Sequence, residues 1–257
     1  MAEEEKIRER AKHALLDLFD KSKKWKDRIK DFAWEVFIII VAVNITLWFH
    51  SWSEKRHERE LEKNFLIGIR CDLGIINEKL IDDSIFNQPI FNYYDSIDTQ
   101  ITNHRIDKAF ADANSSNLLS DSYFVYDNSR FENFKSSGYL RLIENDSLAL
   151  SIAYLYTIAF PSIKDMDKIV NDNMSDLLTY LYANSRLNSS KSFIVSDLLN
   201  TSEGTSRIIV RKSLISNRRD LKEGVKYGVR IIKNRIDDEL KSRFNYEVKN
   251  PNREINN

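Results

Sequence analysis

The chain has 257 residues, and its 39 Lys and Arg balance 39 Asp and Glu, so the formal net charge is zero. With 6 Gly and 3 Pro, the sequence argues against a sheet-rich domain and is typical of long helices. A single cysteine excludes an intrachain disulfide, and an apolar share of 42% is enough for one core of ordinary size.

Residues 1–31 are predicted to form a basic amphipathic helix, with Ile7, Ala11, Leu15 and Leu18 on one stripe. Such a helix can lie on an anionic membrane leaflet. The segment is too short for a kinase, cyclase or receiver domain, which counts against a self-contained transmembrane sensor.

The next element, residues 32–49, reads FAWEVFIIIVAVNITLWF and is the only stretch apolar and long enough to cross a bilayer. Eighteen helical residues span roughly 27 Å, and continuation to residue 52 completes the crossing. All four tryptophans lie in or beside this stretch, and three of them are predicted interfacial anchors: Trp34, Trp48 and Trp52. A core helix of a soluble protein is the alternative, but it leaves the tryptophan clustering unexplained.

Polar and small positions within the span predict a contact with another helix. Glu35, Ala42, Thr46 and Ser53 share one face, and Ala42-x-x-x-Thr46 fits small-residue packing between transmembrane helices. Asn44 lies on the opposite face, so the polar residues do not form one pore-lining stripe. The stripe predicts self-association or docking on another membrane protein. Alternatively, Glu35 lies close enough to the cytoplasmic interface to reach headgroups.

The orientation follows from the distribution of basic residues around the span. Six cations lie within the eleven residues before it, and those after it are more diluted. The positive-inside rule then predicts a cytoplasmic N-terminus in a bacterial inner membrane and a periplasmic domain over residues 53–250.

The remaining pattern is helical almost throughout. Helices are predicted at residues 53–83, 93–111, 131–137, 147–183 and 207–244, with a short helix or turn at 192–199 and a flexible tail at 251–257. Gly138 should end the third of these, Asn145 or Asp146 should cap the fourth, and Pro161 should interrupt it. The predicted fold is all-α: one N-terminal transmembrane helix continuing into an extramembrane antiparallel bundle of about four long helices.

Charge is divided unevenly along the chain. Residues 61–200 carry about −7 and residues 201–257 about +6. This predicts that the basic C-terminal helix packs on the acidic middle, within one subunit or between subunits. Nucleic-acid binding is not expected, because acids are interleaved with the basic residues of that helix.

Several of these residues form motifs of a known type: Trp52-Ser53-Glu54-Lys55-Arg56 seventeen residues after Glu35, then Glu58-x-Glu60, and later Ser136-Ser137-Gly138-Tyr139-Leu140. In this pattern the chain resembles an uncharacterised single-pass inner-membrane protein family of Gram-negative bacteria over most of residues 32–160. Departures occur at Ala33-Trp34, at Ala42 in place of glycine, and at His50-Ser51 in place of an asparagine pair. The resemblance implies topology and compartment, and no activity.

The sequence offers little chemistry. His50, Glu54 and His57 share a helical face and could form a metal site, but a solvated face with ordinary helix pairs is the preferred interpretation. Cys71 is predicted to be a buried small residue. The paired tyrosines are predicted to pack at the edge of the core: Tyr93, Tyr94, Tyr154, Tyr156, Tyr180 and Tyr182. The acids Asp165, Asp167, Asp172 and Asp176 are predicted to be solvated or to dock the basic helix. No catalytic residue, metal or cofactor is predicted.

The function predicted from these features is that of a non-enzymatic scaffold or accessory subunit, anchored in the bilayer and oligomeric with itself or with another membrane protein. Two alternatives stay open. One is a homo-oligomeric channel or transport component in which Glu35 or Asn44 faces a shared axis. The other is a periplasmic sensing domain that signals through a partner, its small-molecule ligand being unknown.

Overall fold

The computed structural model describes the backbone of residues 2–188 and 192–247, and the side chains of these residues apart from 2–24, 26–28 and 31. The chain divides into two compact units, Met1–Glu60 and Leu61–Asn257. The predicted apolar stripe of residues 7–18 and the predicted tail at 251–257 lie outside this description.

The first unit is formed by the N-terminal part of helix α1, whose full extent is Ala2–Thr102. Between Phe32 and Thr102 this helix contains an 18-residue window with a mean hydropathy of 2.0, none of which is buried. Length and composition therefore allow it to cross a membrane, as the sequence predicts.

The second unit is all-α, and no strand is assigned among its described residues. After α1 come α2 (Lys108–Ala113), α3 (Ser129–Ser136), α4 (Asp146–Tyr154), α5 (Phe160–Asn184) and α6 (Ser202–Phe244). Short 3₁₀ turns lie at Ser115–Leu118, Tyr139–Leu142 and Leu198–Asn200, and a π turn, Leu155–Ala159, joins α4 to α5.

Helix α1 is longer than the sequence predicts. It passes through Pro89 and ends at Thr102, so the helix predicted at 53–83 and the first part of that predicted at 93–111 belong to one helix. The bundle has three long helical segments in its described part. Pro89 is exposed, and the residues on either side keep the same buried face: Leu80, Asn87, Ile90, Tyr94 and Ile97. The proline removes one backbone hydrogen bond on the solvent side, where water can replace it, so core packing holds the helix together.

The interruption predicted at Pro161 is present as a π turn. Asn145 caps α4 by accepting a hydrogen bond from the Leu148 amide at 3.1 Å, which confirms the predicted cap. Pro161 then lies in the first turn of α5, directly after the π turn that interrupts the regular α-helical bonding. Gly138, with φ +72°, follows α3 in the left-handed conformation expected of a helix stop.

Buried apolar side chains of the described residues form two clusters. The first joins α1, α3, α4 and α6 and includes the fully buried Leu66, Leu73, Phe131, Ile152 and Ile236. The second joins α1, α5 and α6 and includes Tyr94, Ile97, Leu118, Val170 and Val195.

The order of these clusters along each helix gives the helix directions. Both α1 and α4–α5 run from the first cluster to the second, whereas α6 runs from the second to the first. Helix α6 is therefore antiparallel to the other two, and residues 103–145 return the chain along the bundle.

Candidate functional site

The polar side chains of the apolar segment bond to their own helix. Asn44 Nδ2 donates to the Ile40 carbonyl at 2.7 Å, and Thr46 Oγ1 donates to the Ala42 carbonyl at 2.8 Å. Within this unit Glu35, Ala42, Thr46 and Ser53 are exposed along the helix. Their predicted role in packing against another helix stays a prediction.

The aromatic residues at the two ends of the apolar segment are exposed as well. Trp34 stacks on Phe37 with ring centroids 5.5 Å apart, and Trp52 lies 5.7 Å from Phe49. The Arg56 guanidinium lies 5.7 Å from the Trp52 ring, within the range of a cation–π contact. The role of Trp34, Trp48 and Trp52 as interfacial anchors stays a prediction.

The structure bears on two residues for which reactive roles were considered, His50 and Cys71. His50 Nδ1 lies 3.9 Å from Glu54 as an exposed i,i+4 pair, and no group of three potential metal ligands occurs among the described residues. Cys71 is exposed, so its predicted burial is wrong. It lies beside the buried stripe of α1 formed by Leu66, Ile69, Leu73 and Ile76.

The most distinctive polar feature of the second unit is a set of paired charges inside the bundle, here called the buried charge layer. It consists of Asp83 on α1, Asp121 in the loop before α3, Asp167 on α5, and Arg211, Arg218 and Lys222 on α6. The exposed fractions of the three cations are 0%, 2% and 5%, respectively. Burial of this kind requires charge pairing, because an isolated ion in an apolar interior costs several kcal/mol.

Lys222 joins three elements of this layer. Its Nζ lies 3.0 Å from Asp83 Oδ1 and 3.4 Å from Asp167 Oδ1. Asp167 Oδ2 also accepts the Phe124 amide at 2.8 Å, which fixes the loop before α3 against α5. Lys222 of α6 thereby fixes the positions of α1 and α5 relative to each other along the bundle.

Arg218 continues the layer toward the loop. It pairs with Asp121, donates to the Ser122 carbonyl at 3.3 Å, and lies 3.7 Å from Asp167. Asn87 of α1 completes the connection by donating to Ser122 Oγ at 2.8 Å.

Arg211 lies one step further into the second cluster. It donates to the carbonyl of Val170 and lies 3.8 Å from Asp121 Oδ2. Nearby, Tyr94 donates to the Leu118 carbonyl at 3.1 Å, and burial raises the pKa of this phenol well above its ordinary value. The layer therefore separates the two apolar clusters.

These contacts confirm that the basic C-terminal helix packs on the acidic middle within one chain. Of the predicted acidic face, Asp167 docks α6, while Asp165, Asp172 and Asp176 are exposed. Of the paired tyrosines, Tyr93, Tyr94 and Tyr156 are core residues, whereas Tyr154 and Tyr182 are exposed.

A second charge cluster ties α6 to the start of the bundle. The Arg243 guanidinium binds both carboxylate oxygens of the buried Glu62, at 2.6 and 3.1 Å, and also pairs with Glu144 and Glu239. Desolvation lowers the pKa of Arg243, but the hydrogen bonds that the guanidinium donates to Glu62 and Glu239 outweigh it, and the pKa is raised. Glu62 also accepts the Glu144 amide at 3.0 Å, just ahead of α4.

A groove of about 790 Å³ lies between α4 and α6, lined by Leu150, Tyr154, Gly228 and Ile231 and by Asp146 and Arg235. Arg235 reaches across it to Ser151 Oγ at 2.8 Å.

No family model matches the chain, and neither do the curated proteins or the solved structures. The roles of the buried charge layer and of the groove therefore follow from their own residues.

The sequence contained a signal for the buried charge layer. Arg211, Arg218 and Lys222 fall on the same helical stripe as Ile208, Ile215, Val225 and Val229, so basic residues occupy core positions of α6. A cation on a core stripe predicts a buried acid opposite it. The groove has a weaker sequence signal, in Gly228 inside the same helix.

Proposed function

We propose that this protein is a single-pass, membrane-anchored scaffold or accessory subunit without catalytic activity, whose helical domain lies on the periplasmic side of a bacterial inner membrane. The observation that carries this proposal is the composition of α1. Its apolar window is exposed along its whole length, and its later residues, from Phe65 to Ile97, contribute buried side chains to the helical domain.

An anchor explains the apolar segment better than a pore does. Asn44 and Thr46 bond to backbone carbonyls of their own helix, so neither needs a water-filled path or a polar partner inside the bilayer. A channel would also need polar residues on one shared face, and Glu35 and Asn44 lie on opposite faces.

The arrangement of charges in the domain supports a structural role. The buried acids and bases are engaged across helices, where they hold α1, α5 and α6 together. The apolar character of the groove between α4 and α6 supports docking of protein rather than chemistry.

Membrane anchoring and orientation can be tested together. Full-length protein is expected to stay with membranes through high-salt and alkaline washes and to be released by detergent. A periplasm-dependent reporter fused at the C-terminus should be active, and the same reporter at the N-terminus inactive. Release by salt alone would contradict the anchor, and the reverse reporter pattern would contradict the orientation.

The channel alternative has its own measurement. Purified protein in planar bilayers is expected to give no conductance, because Asn44 and Thr46 bond to their own helix and Glu35 lies on the face opposite Asn44. A current that is lost in Glu35→Ala and kept in Asn44→Leu would replace the scaffold proposal with a pore lined by Glu35.

A further inference from the structure

The groove between α4 and α6 is part of a larger apolar surface. Leu150, Tyr154 and Ile158 follow one another at intervals of four residues and are 72%, 58% and 51% exposed. Tyr227 and Ile231 of α6 are exposed as well. Together these side chains expose roughly 500 Å², toward the upper end of what monomeric proteins leave open.

The chain around this surface carries no charge over a long stretch. Residues 147–163, which include most of α4 and the whole π turn, contain no Asp, Glu, Lys or Arg. The helical segment Asp146–Asn184 has an 18-residue window with a mean hydropathy of 1.2, of which only 39% is buried. An apolar helix with this much uncovered surface resembles one half of a protein interface.

Two glycines lie on α6 near the groove, and Gly228 lines it. Gly224 and Gly228 are four residues apart and lie inside a 43-residue helix, where glycine is unfavourable relative to alanine. A Cβ atom at Gly224 would meet nothing within 4 Å, and one at Gly228 would meet only Leu155, at 4.0 Å. Packing within this chain therefore does not require glycine at either position, whereas close approach of a second backbone would.

We propose that the groove is the interface with a second copy of this chain, which packs its own α4 and α6 face against it in a two-fold symmetric dimer. A symmetric contact brings a surface against itself, so a surface of one charge sign would repel its copy. Here the centre is uncharged, and both signs are present around it: Asp146 and Arg235 line the groove, and Glu223 and Arg230 are exposed on α6.

The exposed apolar area is of the size that an interface with a second copy of the chain needs. The exposed apolar side chains supply well over half of the roughly 800 Å² that each partner contributes to a standard interface, and the polar rim supplies the remainder. The inference rests on the proposed membrane anchor in one respect, because tethering two copies to one bilayer raises their effective concentration.

The test is the mass of the full-length protein purified in detergent, measured by light scattering or native mass spectrometry. The wild type is expected at twice the 30.2 kDa chain mass. Gly228→Leu fills the groove and should reduce the mass to that of one chain. Gly74→Leu is the matched control: Gly74 is also a helical glycine at which a Cβ atom would meet nothing within 4 Å, but it lies on α1.

Circular dichroism should be the same for the three proteins, since neither glycine is needed for packing within the chain. If Gly228→Leu does not fold, Leu150→Glu places a charge at the most exposed apolar position of the surface and should give the same loss. A monomeric wild type would overturn the proposal, as would a dimer that survives both Gly228→Leu and Leu150→Glu. A dimer lost only on Ala42→Phe would place the contact in the anchor and leave the proposed function intact.

Discussion

Lys222 and Asp83 are 139 residues apart in the sequence, yet the ammonium group of one lies 3.0 Å from the carboxylate of the other inside the bundle. The pair joins α6 to α1 at the level where the two apolar clusters meet. Its environment is nearly dry, with 7% and 13% of the two side chains exposed. The interaction is therefore much less screened by water and salt than a surface pair.

Replacing Lys222 by Met should destabilise the folded domain strongly. The substitution leaves Asp83 and Asp167 without their shared cation, and breaking a buried pair in this way costs about 3–5 kcal/mol. Chemical denaturation followed by circular dichroism measures the loss. The control is Lys226→Met on the same helix, since Lys226 pairs with the more exposed Glu223 and should cost less than about 1 kcal/mol.

A double-mutant cycle separates pairing from packing. In Lys222→Met combined with Asp83→Asn, one uncompensated charge is removed, so the double variant should lose less stability than the sum of the two single variants. Strict additivity would contradict direct coupling between the two residues.

The helix stop at Gly138 gives a prediction with a matched glycine. Gly138 has φ +72° and open space around it, so Gly138→Ala should cost about 1–2 kcal/mol through backbone strain alone. Gly74 is helical and equally open, so Gly74→Ala should stabilise the domain by about 0.5–1 kcal/mol. Thermal unfolding of the two variants should therefore shift in opposite directions, and shifts of the same sign would contradict the assignment.

A carboxylate at the start of α3 gives a prediction in pH. Hydrogen bonds from the Ser129 hydroxyl, at 2.6 Å, and from its amide, at 2.8 Å, lower the pKa of Asp127 below its ordinary value of 3.8. Because the folded-state pKa is the lower one, this contribution to stability is present above about pH 4 and is lost as the pH falls through the lowered value. Ser129→Ala should raise the pKa of Asp127 toward 3.8 in an NMR titration, and an unchanged titration would contradict the role of the hydroxyl.

Features that depend on neighbouring residues could be predicted from the sequence, whereas features that depend on residues far apart in the chain could not. The cap at Asn145, the stop at Gly138 and the interruption at Pro161 are local, and the sequence predicts all three. The continuation of α1 through Pro89 is not local, because it depends on Asn87, Ile90 and Tyr94 packing against other helices. The charge totals predicted that α6 packs on the acidic middle, but they could not identify Asp83, Asp121 and Asp167 as its partners.

The anchor stripe predicts association inside the bilayer, and it can be tested separately from the groove. In a Gly228→Leu background, Förster transfer between labelled full-length chains in lipid vesicles reports contacts made by the anchor. Ala42→Phe should weaken this transfer, because a large side chain prevents close approach at the small-residue face, at a cost of about 1 kcal/mol. Glu35→Ala should weaken it as well, since Glu35 shares that face. Asn44 lies on the opposite face and bonds to its own helix, so Asn44→Leu should leave the transfer unchanged. Equal effects of all three substitutions would show that the stripe does not define the contact.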